Sequence, residues 1–110
     1  MKKKNRVKKS EEFQNLIHKG KKIVNASFVM YFQNKKEEEA RIGISLSKKI
    51  GNAVHRNLIK RQVRMMCQDL TDFHSYPFDV ILIIRFGYKD NTFETNKNNL
   101  EKLLVKATMK

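Results

Sequence analysis

The sequence has very few of the residues on which several common function classes depend. Its single cysteine, Cys67, excludes an internal disulfide and a cysteine-cluster metal site, and it fits a reducing compartment. Four widely separated glycines leave no glycine-rich loop that would cradle a phosphate group. No apolar run approaches the ~20 residues that span a bilayer, and no hydrophobic signal segment follows the first lysines. We therefore expect a cytoplasmic protein without a membrane partner.

Catalytic and metal-binding side chains are also scarce and scattered. The three histidines, His18, His55 and His74, lie in different predicted elements and lack the spacing of a metal site. A two-metal nuclease needs several carboxylates aimed at one point, whereas the acidic residues here cluster at 11–12 and 37–39 and are otherwise dispersed. The sequence thus predicts no catalytic residue and no metal site of its own. Any phosphodiester cleavage would depend on a partner.

What the sequence has in excess is positive charge. It carries 24 Lys and Arg against 11 Asp and Glu, a formal net charge of +13, which is typical of proteins that bind nucleic acid. The densest stretch, residues 48–64, contains six Lys or Arg and no acidic residue. Gly51 and Asn52 suit a turn, and the absence of Gly and Pro from Ala53 to Leu70 predicts one helix.

This helix is predicted to present a basic ridge. At about 100° per residue, Arg56, Lys60 and Arg64 stack along one line, with Asn57 and Arg61 beside it. No acidic residue lies three or four positions away to relieve their repulsion, and a guanidinium grips phosphate at two points. An ordinary solvated helix face is the alternative, but unrelieved repulsion favours a nucleic-acid partner. The opposite arc is predicted to face the core, and it comprises Val54, Leu58, Ile59, Met65, Met66 and Leu70.

Three stretches have the pattern of strands. Residues 23–34 read as extended, with Phe28, Met30 and Phe32 on one face and Val29 and Tyr31 on the other. Residues 40–47 alternate core side chains with small or polar ones, so their polar face is predicted to floor a groove. The continuous apolar run within residues 78–85 is typical of a central strand.

The order of elements predicts the fold class. Helices are expected from residue 10 to Gly20 and after Asn91 or Thr92. The predicted order is αβββαβα, in which the three strand-like stretches account for three of the four strands. The helix predicted from Ala53 to Leu70 lies between two strands and makes a βαβ unit with them, so we expect an α+β sandwich with a mixed sheet. A length of 110 residues fits a single RNA-binding domain. Residues 1–9 hold six Lys or Arg and are predicted to be flexible, either as a solvated tail or as a segment that orders on RNA.

The stretch around the helix resembles the signature of the bacterial ribonuclease P protein family. The similarity lies in Ser47-Lys48-Lys49-Ile50, in Gly51-Asn52-Ala53-Val54 and in Arg56-Asn57, followed by Lys60, Arg61 and Arg64. Leu58 departs from the pattern, because an Arg is usual there, and so does His55. The resemblance extends along the chain. It implies the fold type named after the second domain of a small-subunit ribosomal protein, with a left-handed βαβ crossover in place of the usual right-handed one.

The resemblance also implies an activity and two RNA-binding surfaces. In this family the RNA subunit cleaves precursor tRNA and releases the mature 5′ end, while the protein assists. The expected partners are thus the catalytic RNA subunit and precursor tRNA, not DNA, with Mg²⁺ at the RNA active site and no cofactor held by protein side chains alone. The implied contacts to the RNA subunit are Lys48, Lys49, Asn52, Arg56, Asn57, Lys60, Arg61 and Arg64, and those to the 5′ leader are Arg6, Lys8, Lys9, Phe13, Ile17 and Tyr31.

Three alternative functions remain open at this point. A ribosomal or other structural RNA-binding protein would share the composition, and only the spacing of the signature separates the two. An autonomous nuclease would need a carboxylate or histidine cluster, and a cleavage assay with protein alone would reveal it. Peripheral membrane binding ranks last, since the predicted apolar arc is needed by the core and has no Trp anchor.

Overall fold

The structure, a computed structural model, describes residues 1–109 and contains one four-stranded sheet with helices on both faces. The strand order is β1-β2-β4-β3, with β3 parallel to β4 and the other pairs antiparallel, which confirms the mixed sheet. Each helix in this part of the chain is too short or too polar to span a lipid bilayer. The elements are α1 (Ser10–Lys19), β1 (Lys21–Val24), β2 (Phe28–Asn34), β3 (Ile42–Ser45), α2 (Ala53–Leu70), β4 (Phe78–Ile84), α3 (Gly87–Asp90) and α4 (Phe93–Thr108).

The predicted extended stretch at residues 23–34 is a hairpin and not a single strand. The side-chain oxygen of Asn25 accepts hydrogen bonds from the backbone N–H groups of Ser27 and Phe28, both at 3.1 Å, and so folds the chain back on itself. Side chains of this type favour such turns because they replace a backbone acceptor. Strands β1 and β2 then pair in register, with Ile23 opposite Met30. The hairpin supplies the fourth strand of the predicted order αβββαβα, which is confirmed, with the short α3 as an addition.

One face of the sheet is sealed by α2 and α4. Its side chains form rows across the strands, such as Met30, Leu82 and Ile44 in one row and Phe32, Val80 and Ile42 in the next. Most of these are fully buried among apolar residues of the two helices. The central position predicted for β4 is confirmed, because this strand has two hydrogen-bonded neighbours and is buried on both sides. The handedness of the β3-α2-β4 crossover stays a prediction.

The second face of the sheet, called the open face below, is only partly covered. Helix α1 crosses it and contacts β2 and β4, with Leu16 packed against Ile81. The predicted low floor at Gly43 is occupied, because a Cβ there would lie 2.6 Å from the Phe13 ring. Beyond the Phe13 contact, helix α1 no longer covers the sheet. The next row across the strands is therefore half-buried, and it consists of Val29, Ile83 and Ser45.

The N-terminal segment, predicted to be flexible, lies against the outer edge of β3. Arg6 forms a parallel bridge with Ile42, and the N–H of Val7 donates to the carbonyl of Ile42 at 3.2 Å. The side chain of Asn5 is buried, where its Nδ2 donates to the carbonyl of Ala40 at 3.0 Å. Sequence pattern missed this packing because charge dominates the segment, while the two residues that anchor it, Asn5 and Val7, are isolated. Its mobility in solution stays a prediction.

Helix α2 has the predicted bounds, but its predicted core face is wrong in part. The buried stripe is Ile59, Val63, Met66 and Cys67, which follow helical spacing i, i+4, i+7 and i+8. Residues some 120–160° from the centre of that stripe must point outward, since each residue turns the helix by about 100°. They remain exposed despite being apolar, namely Val54, Leu58 and Met65.

Candidate nucleic-acid interface

The start of α2 is fixed by local hydrogen bonds. A 3-10 turn at Lys48–Ile50 precedes the helix, and the Ser47 hydroxyl accepts the N–H of Lys49 at 3.1 Å. Asn52 is the N-cap, and its side-chain oxygen accepts the N–H of His55 at 2.9 Å. The signature residue Asn52 therefore has a structural role in addition to any contact with a ligand. Lys48 and Lys49 are exposed at the positive end of the helix.

The basic ridge follows one flank of α2. Arg56, Lys60 and Arg64 are half-buried beside the core stripe, whereas Asn57 and Arg61 point outward. Within residues 1–109 none of these cations forms a salt bridge. The Nε of Arg56 is buried and has no hydrogen-bond partner in the same part of the chain. The helix thus holds several charges at fixed spacing without an internal counter-ion.

Three cations outside the ridge form ion pairs within residues 1–109, namely Lys4, Arg41 and Lys97. Lys4 lies 2.5 Å from Glu39, and Lys97 lies 3.1 Å from Asp69. Hydrogen bonding to Glu39 and the charge of that carboxylate raise the pKa of Lys4. Most other Lys and Arg residues in this part of the chain are also unpaired, so the ridge differs from them in its fixed helical spacing and not in its lack of ion pairs.

Arg41 occupies an ion-pair network that sequence reasoning missed. Its guanidinium contacts Glu12 of α1 and, at 3.2 Å, the buried carboxylate of Asp79 in β4. The backbone N–H of Arg41 also donates to Asp79 at 2.9 Å. Burial alone would lower the pKa of Arg41, but the hydrogen bonds that Arg41 donates to Glu12 and Asp79 outweigh it and raise the pKa. Arg41 therefore ties α1 to the sheet, and the only sequence signal was its position on the polar face of the strand predicted at residues 40–47.

The predicted leader residues on α1 and β2 share the open face. Phe13, Ile17 and Tyr31 pack around the small cluster of Val7, Leu16 and Ile81, and all three are half-buried. The ammonium group of Lys22 lies 5.9 Å from the centre of the Tyr31 ring, within the range of a cation–π contact. The structure therefore brings these three residues together and leaves part of each accessible.

The basic N-terminal residues flank the same face. Arg6 and Lys8 line a cavity of about 410 Å³ together with Phe13 and Gly43, and Arg64 of the ridge also lines it. The open face and the ridge are thus connected through this cavity. Lys9 does not line this cavity. It lines a neighbouring one, shared with Arg6 and Lys8, that also contains the acidic residues Glu12, Glu37, Glu38 and Glu39.

The chemistry available at these surfaces is ionic, stacking and hydrogen-bonding. Among residues 1–109, no three His, Cys, Asp or Glu side chains come together in a group that would hold a metal ion. Burial raises the pKa of the Cys67 thiol to about 12, so it remains a neutral core residue and not a nucleophile. What is assembled is a patterned cationic surface next to an apolar cleft.

Comparison with known proteins points to one family. The family profile described as Ribonuclease P matches residues 1–108. The ribonuclease P protein component of Bacillus velezensis is 43% identical over 110 residues, covering 99% of this chain and 94% of that protein.

Solved structures agree with this match. A Staphylococcus aureus RNase P protein mutant with defective mRNA degradation activity has a TM-score of 0.86 and 41% identity, covering 96% of this chain and 90% of that one. The RNase P protein from Thermotoga maritima has a TM-score of 0.77 and 27% identity over 90% and 94% of the two chains. With nearly the whole chain matched in both sequence and fold, the chain belongs to the ribonuclease P protein family.

Proposed function

We propose that the basic surface of α2 binds the catalytic RNA subunit of ribonuclease P, while the open face holds the 5′ leader of precursor tRNA. The observation that carries this proposal is the ridge, whose cations have fixed spacing and no ion pair within residues 1–109. A charged surface without counter-ions loses repulsion when phosphates neutralise it. The surface comprises Lys48, Lys49, Asn52, Arg56, Asn57, Lys60, Arg61 and Arg64.

As a ribonuclease P protein, the chain is a subunit of a ribonucleoprotein endoribonuclease that removes the 5′ leader from precursor tRNA. The RNA subunit cleaves the bond. We include in the proposal that Mg²⁺ is bound at the active site of this RNA. The protein's own contribution is binding energy. Phosphates of the RNA subunit neutralise the ridge. Contacts between the open face and the 5′ leader make the protein bind precursor tRNA more tightly than mature tRNA, which has no leader.

The open face suits an extended single strand. The half-buried row of Val29, Ile83 and Ser45 lies next to the row that contains Tyr31. A single RNA strand that crosses the sheet there would contact apolar surface and one aromatic ring. A base stacked on an aromatic side chain gains ~1–3 kcal/mol, with little dependence on its identity. The proposed leader contacts are Arg6, Lys8, Lys9, Phe13, Ile17 and Tyr31. Among them Lys9 has the weakest support, since it lines only the acidic cavity, whereas Arg6 and Lys8 also line the cavity beside Phe13.

The proposal includes a cytoplasmic location. A single buried and reduced cysteine supports it, because disulfide-free proteins predominate where thiols are kept reduced. The compartment also contains the precursor tRNA on which the enzyme acts.

The proposal is tested by reconstitution. Precursor tRNA is incubated with the matching RNA subunit at low Mg²⁺, with and without the protein, and 5′ processing is measured. We expect a clear gain with the protein. No gain would contradict the proposed role and favour the alternative of a structural RNA-binding protein.

Binding of the RNA subunit is then measured over a series of salt concentrations for Arg56→Ala, Lys60→Ala and Arg64→Ala. Each substitution should weaken binding and flatten the plot of log affinity against log salt by about one unit, because one phosphate contact is lost. Lys102→Ala is the matched control, since Lys102 is an exposed helix lysine on α4. Slopes equal to that of the control would mean that the ridge is merely solvated.

A further inference from the structure

The outward side of α2 carries apolar residues that the core does not use. Val54 is 79% exposed, Met65 54% and Leu58 43%. Their positions along the helix place them within about 40° of one another, so they form a line that we call the apolar strip. Leu58 belongs to this strip and departs from the family signature, in which an Arg is usual. An exposed apolar line of three residues on one helix requires an explanation that single exposed residues do not.

The apolar strip continues the basic surface of α2. Arg61 points outward only about 20–60° from the three strip residues. At the end of the strip, Met65 borders a cavity of about 340 Å³, within the size range of small-ligand sites. Its lining combines thioether, guanidinium, amide and carboxylate groups, from Met1, Arg6, Arg61, Arg64, Met65, Gln68 and Asp69, and the Asp69 carboxylate is paired with Lys97.

The charge of the molecule argues against a second copy of this chain on the strip. Two α2 helices packed through it would have axes about 8–10 Å apart. That distance is no greater than the ~8–10 Å over which physiological salt screens exposed charges. Each helix would bring its unpaired Arg61 and ridge toward those of the other copy, and each copy carries a net charge of +13. A polyanion has no such penalty at this position.

We propose that the apolar strip and the cavity at its end receive unstacked nucleotides of the catalytic RNA subunit. RNA loops and bulges present bases that pack on apolar or aromatic side chains and on guanidinium planes. A base on Leu58 and Met65 would leave its phosphate beside Arg61 or Arg64, which the cavity lining already brings together. The inference rests on the proposed binding of that RNA by α2. It adds base contact to what would otherwise be a purely ionic surface.

The strip and the ridge have different signatures in salt. Ionic contacts release counter-ions, so their loss changes the salt slope, whereas apolar contacts release none. Replacing the family's usual Arg by Leu58 thus exchanges an ionic contact for one that persists at high salt. The proposal therefore includes Leu58 in the RNA interface even though this residue lacks the charge of the signature.

The test measures the affinity of the full-length protein for the RNA subunit at several salt concentrations. Leu58→Gln and Met65→Gln keep a good helix former on an exposed position, so the fold should be retained. We expect about five- to tenfold weaker binding for each at every salt concentration, with an unchanged slope. Val105→Gln on α4 is the matched control, because Val105 is a 52% exposed helix residue away from this surface. Its affinity should equal that of the wild type.

Three outcomes would overturn the inference. Strip variants that bind like the Val105 control, while ridge variants weaken binding, would remove the strip from the interface and leave the proposed function intact. Ridge variants without effect would instead contradict the proposed function itself. A dimer of the free protein in sedimentation, converted to a monomer by Leu58→Gln, would show that a second copy covers the strip.

Leu58→Arg sharpens the test. This substitution restores the residue usual in the family at an exposed position, so the thermal melting temperature should change little. The salt slope should steepen by about one unit because a phosphate contact is gained. A slope equal to that of the wild type would place Leu58 outside the RNA contact and overturn its assignment.

Discussion

The two faces of the sheet differ in how completely they are covered. On the sealed face Phe28, Met30 and Leu82 are fully buried beneath α2 and α4. On the open face Val29, Tyr31 and Ile83 keep part of their surface in solvent, because α1 covers only some of the rows. A strand with apolar side chains on both of its faces therefore does not have to be covered equally on both.

The difference separates stability from binding. Burial of apolar surface supplies most of the free energy of folding, so the sealed face should hold the fold together. The open face retains apolar surface that a ligand can still bury. Substitutions on the sealed face should therefore change mainly the free energy of unfolding, whereas substitutions on the open face should change mainly the affinity for RNA.

The largest effect is expected in the sealed core. Phe28→Ala should lower the free energy of unfolding by about 3–5 kcal/mol, because it removes a buried ring that packs edge-to-face against Tyr88. Ile83→Ala on the open face should cost only about 1–2 kcal/mol, since part of that side chain is already in water. Urea unfolding at constant salt measures both. Equal losses would show that the two faces are packed alike.

Arg41 joins the open-face helix to the sheet, and its removal should have the next largest effect on stability. Arg41→Met leaves the Asp79 carboxylate buried without its guanidinium partner, at a cost of about 2–3 kcal/mol. The double variant Arg41→Met, Asp79→Asn should recover part of this loss. Lys97→Met is the control, because it breaks only the more exposed pair with Asp69 and should cost about 0–1 kcal/mol. An Arg41 variant as harmless as that control would mean the network contributes no stability.

Tyr31 should affect binding more than folding. Tyr31→Ala is expected to weaken holoenzyme binding of a precursor tRNA with a long leader by about 1–3 kcal/mol, because a stacking platform is lost. Binding of mature tRNA should hardly change, and Tyr31→Phe should preserve the discrimination because the ring remains. Both affinities are measured after thermal melting confirms the fold. An equal loss of affinity for the two RNAs would show that Tyr31 is a structural core residue and does not contact the leader.

The smallest effect is an alkaline instability of the sealed core. The pKa of Cys67 is raised by burial from 9.0 to about 12, so the folded state keeps a proton that the unfolded state releases. Stability is therefore complete below about pH 9 and falls as pH rises toward 12, by about 1 kcal/mol at pH 10. Tyr88, with its pKa raised by burial to about 12, acts in the same direction.

Urea unfolding at pH 7 and pH 10 measures this alkaline effect. Cys67→Ala should reduce the difference between the two pH values without abolishing it, because Tyr88 remains. The same difference in the wild type and the variant would show that Cys67 ionises normally in the folded protein.

The sequence predicted the elements that local chemistry determines. The bounds of α2 follow from the capping Asn52 and from an interior without Gly or Pro. The central position of β4 follows from a run that is apolar on both sides. The ridge follows from helical spacing alone, which is why its residues could be named without coordinates.

The features that the sequence analysis missed depend on contacts between residues far apart in the chain. Helical spacing places Val54, Leu58 and Met65 relative to one another, but which side of α2 meets the sheet is decided by Val63 and Cys67 in a packed core. The Arg41 network joins residues 12, 41 and 79, which no local pattern connects. The leader and RNA-subunit contacts of individual residues stay predictions.

The N-terminal segment beside β3 has a consequence for solubility. A sheet with the order β1-β2-β4-β3 has two outer strands, whose unpaired backbone groups are templates for pairing with another molecule. On β1 the exposed Lys21 and Lys22 discourage such pairing by charge. On β3 the backbone of Arg6 and Val7 occupies part of the pairing edge itself. A newly made chain thereby closes its own aggregation-prone edge while it awaits its RNA, and removal of residues 1–7 would reopen it.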